Sequence, residues 1–296
     1  MHLPSIDVHV SDAEAASTDD VLEKGISTRE ALYAHWERHQ WSALDLDFGT
    51  DAATFRALSP AEQDGFVWMF ANRFHAEFNV ARLLAPFLDA APDYHMRALL
   101  ATQVADEHRH CQVVLRIYDE VFGISGLDAV QERADRDLDP VSKTLLYDKL
   151  EQWVLPLNEH KDPDTFLQAV LVYHVLGEGV IARTGQNLAA ARYEQLHGFP
   201  GLVEGQRRVS RDEARHIGIG VSYVRERMHA DPDHARAVVG EVIDDVMVVA
   251  AEMLETAKSG MSDLVARGYG VDPDGFYAEV MRLVDLRLRS IGYITG

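Results

Sequence analysis

The sequence predicts an all-α protein, a helix bundle with a four-helix core and accessory helices. Three observations carry this. Alternating strand patterns are nearly absent, and β-branched runs such as Val246-Met247-Val248-Val249 sit inside helical stretches. Helix-start signals recur along the chain, and the segments between them run 20 to 30 residues, a length suited to antiparallel packing. No short-period repeat, low-complexity tract or long linker interrupts them, so residues 26–296 read as one domain.

Residues 1–25 are polar and without clear periodicity, and are expected to form a flexible N-terminal arm. Ser27-Thr28-Arg29-Glu30 has capping-box spacing, with Leu32, Trp36 and Trp41 following near a helical period. Ser59-Pro60-Ala61-Glu62 is a stronger start: a capping serine, a proline that needs no donor in the first turn, and a glutamate that reaches back. It opens a helix to about Leu88. Pro92 starts the next, which stops at Gly123. Asp139-Pro140, Asp162-Pro163, Asp231-Pro232 and Asp272-Pro273 then mark further helix N-termini, because aspartate caps and proline fits the first position.

Composition narrows the function. Lys and Arg total 28 against 48 Asp and Glu, a formal net charge of −20, which repels phosphate backbones and sets nucleic acid aside as a partner. The single cysteine, Cys111, rules out an internal disulfide framework and fits a reducing cytoplasm. No apolar run reaches the roughly 18 residues of a membrane span, and Met1 to Asp20 carries no secretory signal.

Two segments repeat one spacing. Asp106-Glu107-His108-Arg109-His110 and Asp212-Glu213-Ala214-Arg215-His216 each contain Glu-x-x-His, which puts both side chains on one helix face a turn apart. One such pair on an acidic helix is commonplace. Here Val104, Ala105, Val113 and Val114 flank the first, and Val209, Ile217 and Ile219 the second. Two further glutamates, Glu77 and Glu178, stand in otherwise apolar stretches, where an unpaired carboxylate is costly and must be neutralised, paired or bound to metal. In chain order the helices offer Glu; Glu-x-x-His; Glu; Glu-x-x-His. Four carboxylates and two imidazoles projecting into a bundle form a two-metal carboxylate site, and such mixed oxygen and nitrogen donors suit iron and manganese. Buried ion pairs with coincidental spacing are the bland alternative. His75, His108 and His174 are out of phase with this set and read as packed or solvated, and Cys111 as a small core residue.

On these residues the chain resembles the ferritin-like dimetal proteins of the ribonucleotide reductase small-subunit superfamily, and within them the ligand-binding oxidases. Four stretches carry the likeness: Glu77 with Val80 and Pro86-Phe87; Glu107-His108-Arg109-His110-Cys111-Gln112-Val113; Tyr173-His174-Val175-Leu176-Gly177-Glu178-Gly179 with Thr184-Gly185; and Asp212 to His216. They span roughly residues 60 to 225, with a weaker echo at Asp285 to Gly292. The resemblance implies a manganese and an iron ion, or two irons, with Glu77, Glu107 and His110 on the first metal. Glu178, Glu213 and His216 would hold the second, Glu107 and Glu213 bridging. It further implies dioxygen activation, a hydrophobic and possibly fatty-acid-like ligand, a homodimer, and an ether cross-link between Val80 and Tyr173. Ordinary core packing is the plain reading of that last pair. An ideal helix also turns Tyr173 away from Glu178 at five residues' distance, so a π-bulge near Gly177 or Gly179 is expected. Asp212 resembles the superfamily aspartate that orients a metal-bound histidine; a surface acid is the alternative.

Two positions depart from the family. Gln186 stands where it carries a tyrosine, and Arg183 where an apolar residue is expected. The nearest rival reading is a radical-generating reductase small subunit. Many of those hold a tyrosine one turn after the helix-two histidine, where this chain has Val114, and a C-terminal relay tail, where this sequence runs Ile291 to Gly296. An arylamine-type N-oxygenase needs an extra histidine at the position of Val209. Ferritin-like iron storage, the non-enzymatic alternative, gives Val80 and Tyr173 no role.

Overall fold

The computed structural model describes residues 20–138, 140–256 and 262–294, and among them every regular element is helical. In chain order these are α1 (Arg29–Arg38), α2 (Gly49–Ala57), α3 (Pro60–Ala90), α4 (Tyr94–Glu120), α5 (Leu127–Asp137) and α6 (140–154). They continue as α7 (Pro163–Leu196), α8 (Pro200–Ala230), α9 (Pro232–Thr256), α10 (Ser262–Tyr269) and α11 (Pro273–Ser290). The four longest core helices, α3, α4, α8 and α7, close a ring in that order, with α1 across α4 and α8, α10 against α3, and α11 along α7. This is the ferritin-like bundle.

The start signals work as their chemistry dictates. Ser59 Oγ accepts from the Glu62 N–H at 3.3 Å, and Glu62 Oε2 accepts from the Ser59 N–H at 3.0 Å, closing the capping box of α3. Asp162 caps α7 through the Asp164 and Thr165 N–H groups, and Asp272 caps α11 through Gly275. Two starts shift by one residue. Thr28 rather than Ser27 caps α1, and Asp93 rather than Pro92 begins α4, because their side-chain oxygens reach the Ala31 and Met96 N–H groups. Asp139 lies outside the described residues.

The core has two apolar halves. One gathers Leu83, Phe87, Phe166, Tyr173, Ile217 and Tyr223; the other gathers Phe66, Phe70, Phe74, Tyr118, Tyr193 and Phe199. On α3, α4 and α8 the acidic residues of interest fall between these halves, while on α7 Glu178 sits within the first, between Leu176 and Val180. Helix α7 is long and apolar enough to cross a membrane by length and composition, but 72% of its most apolar window is buried, as a core helix requires.

The expected N-terminal arm covers residues 1–25. Residues 1–19 lie outside the described residues, while its last stretch is docked: Leu22 is in the core and Glu23 is buried. The composition of that stretch concealed this, because one leucine and one paired glutamate make no periodic pattern.

Candidate metal centre

Glu77 comes from α3, Glu107 and His110 from α4, Glu178 from α7, and Glu213 and His216 from α8; all six are buried. They form two overlapping groups, Glu77, Glu107, His110, Glu213 and Glu107, Glu178, Glu213, His216. Within each group the donor atoms lie within 4.8 Å of one another. Glu107 and Glu213 belong to both. His110 Nδ1 faces Glu77 at 3.4 Å, Glu107 at 3.4 Å and Glu213 at 3.5 Å; His216 Nδ1 faces Glu107 at 3.0 Å and Glu178 at 3.8 Å.

Five buried atoms at this point have no hydrogen-bond partner: Glu107 Oε2, His110 Nδ1, Glu178 Oε2, Glu213 Oε2 and His216 Nδ1. Buried polar atoms are almost always paired, so a converging set of orphans is the signature of donors shaped for cations. Carboxylate oxygen and imidazole nitrogen at such spacing fit two divalent ions of the iron and manganese class.

The far sides of the two imidazoles are held crosswise. His110 Nε2 meets Asp212 Oδ2 at 3.3 Å, from α8, while His216 Nε2 meets Asp106 Oδ2 at 3.2 Å, from α4. Each aspartate also accepts an indole N–H, Trp41 to Asp212 at 2.8 Å and Trp36 to Asp106 at 3.0 Å. Arg109 ties the two aspartates together, and Arg215 adds a 2.6 Å bond to Asp106. An Nε2–H held by carboxylate leaves Nδ1 as the free donor atom, the arrangement that orients metal-binding histidines.

The surroundings of Glu77 and Glu178 differ. Arg73, one turn earlier on α3, donates Nε to Glu77 Oε1 at 3.2 Å and Nη1 to Gln206 Oε1 at 2.5 Å. Glu178 instead accepts from the neutral amide of Gln103 at 2.8 Å, and Gln103 Oε1 takes His174 Nε2 at 3.0 Å. Burial pulls the His174 pKa down to about 3, so the ring is neutral and its one N–H fixes which way the Gln103 amide faces. His174 fits there because α8 has Gly220, where a Cβ would stand 2.3 Å from the His174 Cβ.

Charge follows these contacts. Burial, then the Glu213 and Glu107 charges, push the Glu178 carboxyl well above the usual range. Burial opposes ionisation of Glu107 and Glu213 too, but the adjoining His110 and His216 outweigh it and hold both below that range. Both imidazoles sit well above the ordinary histidine value, since their carboxylate partners overcome burial.

Residues Leu171–Ala182 of α7 have π geometry, and this carries Tyr173 round to the bundle interior as a bulge near Gly177 or Gly179 was expected to do. The Tyr173 hydroxyl donates to the Val80 carbonyl at 3.0 Å. Burial, with four carboxylates nearby, pushes that phenol well above its usual range. Val80 and Leu176 line a cavity that reaches Glu77, Glu178 and Glu213 and continues between Trp68, Tyr193 and Tyr269. Gln186 is buried in its wall, whereas Arg183 turns to Glu23.

His108 is exposed and bonds the Val104 carbonyl, and His75 bonds the Tyr147 hydroxyl; neither joins the cluster. Cys111 is buried, and burial pushes its thiol upward. Val114 and Val209 are buried. Sequence reasoning passed over Gln103, Arg73, Trp36, Trp41 and the role of Asp106. One signal was available for the last: both motifs read Asp-Glu-x-x-His, so whatever Asp212 does, Asp106 has a counterpart place.

A family model described as ribonucleotide reductase, small chain, matches residues 27–292. Among solved structures, the chain is similar to an R2-like ligand-binding oxidase with a Mn/Fe cofactor, in several variants. A valine-to-isoleucine variant with aerobically reconstituted cofactor has a TM-score of 0.79 at 21% identity, over 89% of this chain and 94% of that one. A tyrosine-to-phenylalanine variant with anaerobically reconstituted cofactor has a TM-score of 0.78 at 21% identity, over 89% and 93%.

Proposed function

The chain belongs to the ribonucleotide reductase small-chain family, and from that premise we propose that it is a dioxygen-activating oxidase with a dinuclear centre. Glu77, Glu107 and His110 hold one ion, Glu178, Glu213 and His216 the other, with Glu107 and Glu213 shared. The observation that carries this reading is the set of five orphaned donor atoms converging from three helices, α4, α7 and α8, with Glu77 of α3 beside them. Manganese with iron is the favoured pair, supported by the Mn/Fe cofactor of the similar oxidase structures and by the unlike surroundings of Glu77 and Glu178; two irons is the alternative. Once bound, the ions would supply the electrons that reduce dioxygen and the oxidising power for removing hydrogen from a nearby C–H or O–H bond.

The chain's own residues do the rest. Asp212 and Asp106 keep the imidazole Nδ1 atoms turned inward. Four carboxylates offset the charge of two divalent ions. Gln103 steers Glu178 without adding charge. The apolar cavity excludes water and accepts a hydrophobic, fatty-acid-like ligand beside Val80. The same reading takes the protein as a cytoplasmic homodimer.

Val80 and Tyr173 are the couple proposed to join. A bond between the Tyr173 oxygen and the Val80 β-carbon removes one hydrogen from each, and the two protons and two electrons pass to dioxygen. The hydroxyl already sits at 3.0 Å from the Val80 carbonyl, which supports the pairing. Aerobic Mn/Fe loading should make the intact protein lighter by two hydrogen atoms and give a branched peptide joining α3 to α7. Tyr173→Phe should abolish the branch and leave metal stoichiometry unchanged. Anomalous scattering at the manganese and iron edges identifies the ions.

The family match favours a second reading, a radical-generating reductase small subunit. Val114, one turn after His110, occupies the place of the tyrosine that many such subunits use. An unlinked Val80 and Tyr173 after full aerobic loading would move the assignment there.

A further inference from the structure

The π segment has one backbone acceptor displaced from its ordinary partner. In an α-helix the Arg183 N–H would meet the Gly179 carbonyl four residues back. Here it reaches the Glu178 carbonyl, five back, and also that of Val180. The Gly179 carbonyl is met by a side chain from another helix: Arg287 Nε of α11 donates to it at 2.9 Å. Arg287 is completely buried, and its Nη2 donates to Glu23 Oε2 at 2.5 Å, while Glu23 Oε1 takes the Arg183 guanidinium. A buried arginine without a counter-ion is strongly unfavourable, so Glu23 makes this placement tenable. Glycine at 179 is required as well, because a Cβ there would lie 2.9 Å from Arg287 Nε.

We propose that Arg287, anchored by Glu23, is a positioning residue for Glu178. Its bond to the Gly179 carbonyl, one peptide beyond Glu178, pins the end of the π segment. The inference rests on the reading of Glu178 as a ligand of the second ion. π geometry is rare and appears mostly as local bulges at functional sites. Reversion of the segment toward α geometry by one residue would turn Glu178 by about 100° about the helix axis, out of reach of Glu107 and Glu213. Glu77 lies on the regular helix α3 and has no such dependence. The clamp therefore acts on one ion of the two.

The test uses metal-free full chain loaded with Mn(II) alone, read by binding titration and by electron paramagnetic resonance. Wild type should take two ions per chain and give a spin-coupled spectrum. In Arg287→Ala one ion should bind with near-normal affinity and the other about 10- to 100-fold more weakly, with the six-line spectrum of an isolated ion at partial loading. Arg287→Lys, which keeps a charge for Glu23 and one donor for the carbonyl, should recover part of the loss. Glu23→Gln should resemble Arg287→Ala. Arg236→Ala, which removes donors to the Gly292 and Tyr293 carbonyls away from the centre, is the control for general loosening.

Unchanged affinities and coupling in Arg287→Ala overturn the proposal, and so does equal weakening of both ions matching Arg236→Ala. If Arg287→Ala does not fold, the same readings on Arg287→Lys and Glu23→Gln decide. Wild type binding fewer than two ions overturns the dimetal reading itself, and with it the role given to Arg287.

Discussion

Glu77 and Glu178 flank the shared pair Glu107 and Glu213 from opposite sides, yet the chain holds them by different means. Glu77 rides on a regular α-helix and pairs with a cation, Arg73, from its own preceding turn. Glu178 rides on a π segment and is steered by a neutral amide whose orientation is set by a neutral histidine. The outer layers, by contrast, match: an aspartate from the opposite motif behind each imidazole and an indole behind each aspartate. What repeats in the sequence repeats in the outer layer, and what is single in the sequence is where the halves diverge. Identical donors can thus present two unlike sites, because an arginine stabilises a carboxylate charge that an amide and burial leave exposed to repulsion.

The largest test removes what both halves share. Glu107→Ala should abolish binding of both ions, measured as metal content after loading and desalting. Retention of one ion would make Glu107 a ligand of a single half and break the symmetry of the shared pair.

The crosswise aspartates sharpen the comparison next. Asp212→Asn should weaken the ion on the Glu77 side, and Asp106→Asn the ion on the Glu178 side, each by about 10- to 100-fold. Each change sits on the opposite motif from the histidine it orients. Titration of Mn(II) into each variant, combined with Glu77→Gln or Glu178→Gln to isolate one half, tells them apart. Weakening on the same side as the substituted motif would refute the crossed arrangement.

The smallest effect is in pH. His110 and His216 are raised well above 6.5 in the metal-free fold, so their contribution to stability is complete below 6.5 and is lost as pH rises through the folded values. Glu178, also raised, acts in the same direction, because its neutral form must ionise as pH rises. Glu107 and Glu213, both lowered, contribute above about 4.5 and fail in acid. The stability of metal-free protein should therefore fall as pH climbs above 6.5, by up to about 1.4 kcal/mol per histidine for each pH unit crossed, and its melting temperature should fall with it. Metal-loaded protein, in which ions replace those protons, should not follow. A metal-free melting temperature flat to pH 9 would count against the imidazole–carboxylate pairing.

The bundle and the converging donors were legible because each has a local signature. Ser59-Pro60-Ala61-Glu62 closes its own capping box, and Glu-x-x-His needs only one helix turn to align its side chains. Lone acids in apolar stretches, Glu77 and Glu178, announce themselves by their cost. Asp212 apart, the supporting residues were not legible, for the opposite reason. Trp41 and Asp212 are 171 positions apart, and Gln103 and Glu178 are 75 apart. Nothing in a helical period says which glutamine faces which carboxylate across a bundle. Residues 20–25 were misjudged on the same ground, since Glu23 is explained only by two arginines far along the chain. The π segment was half legible: its need was plain from the phase of Tyr173, its extent over Leu171–Ala182 was not.

The Glu23 contact spans 264 positions to Arg287, nearly the whole chain. Contacts of such separation form late, because the loop they close must first be ordered. During synthesis, Glu77, Glu107 and His110 emerge long before their orienting Asp212, and Glu178 before the residue that pins its backbone. The Glu178 half therefore gains its backbone anchor only when α11 docks, whereas the Glu77 half is complete once α3, α4 and α8 have packed.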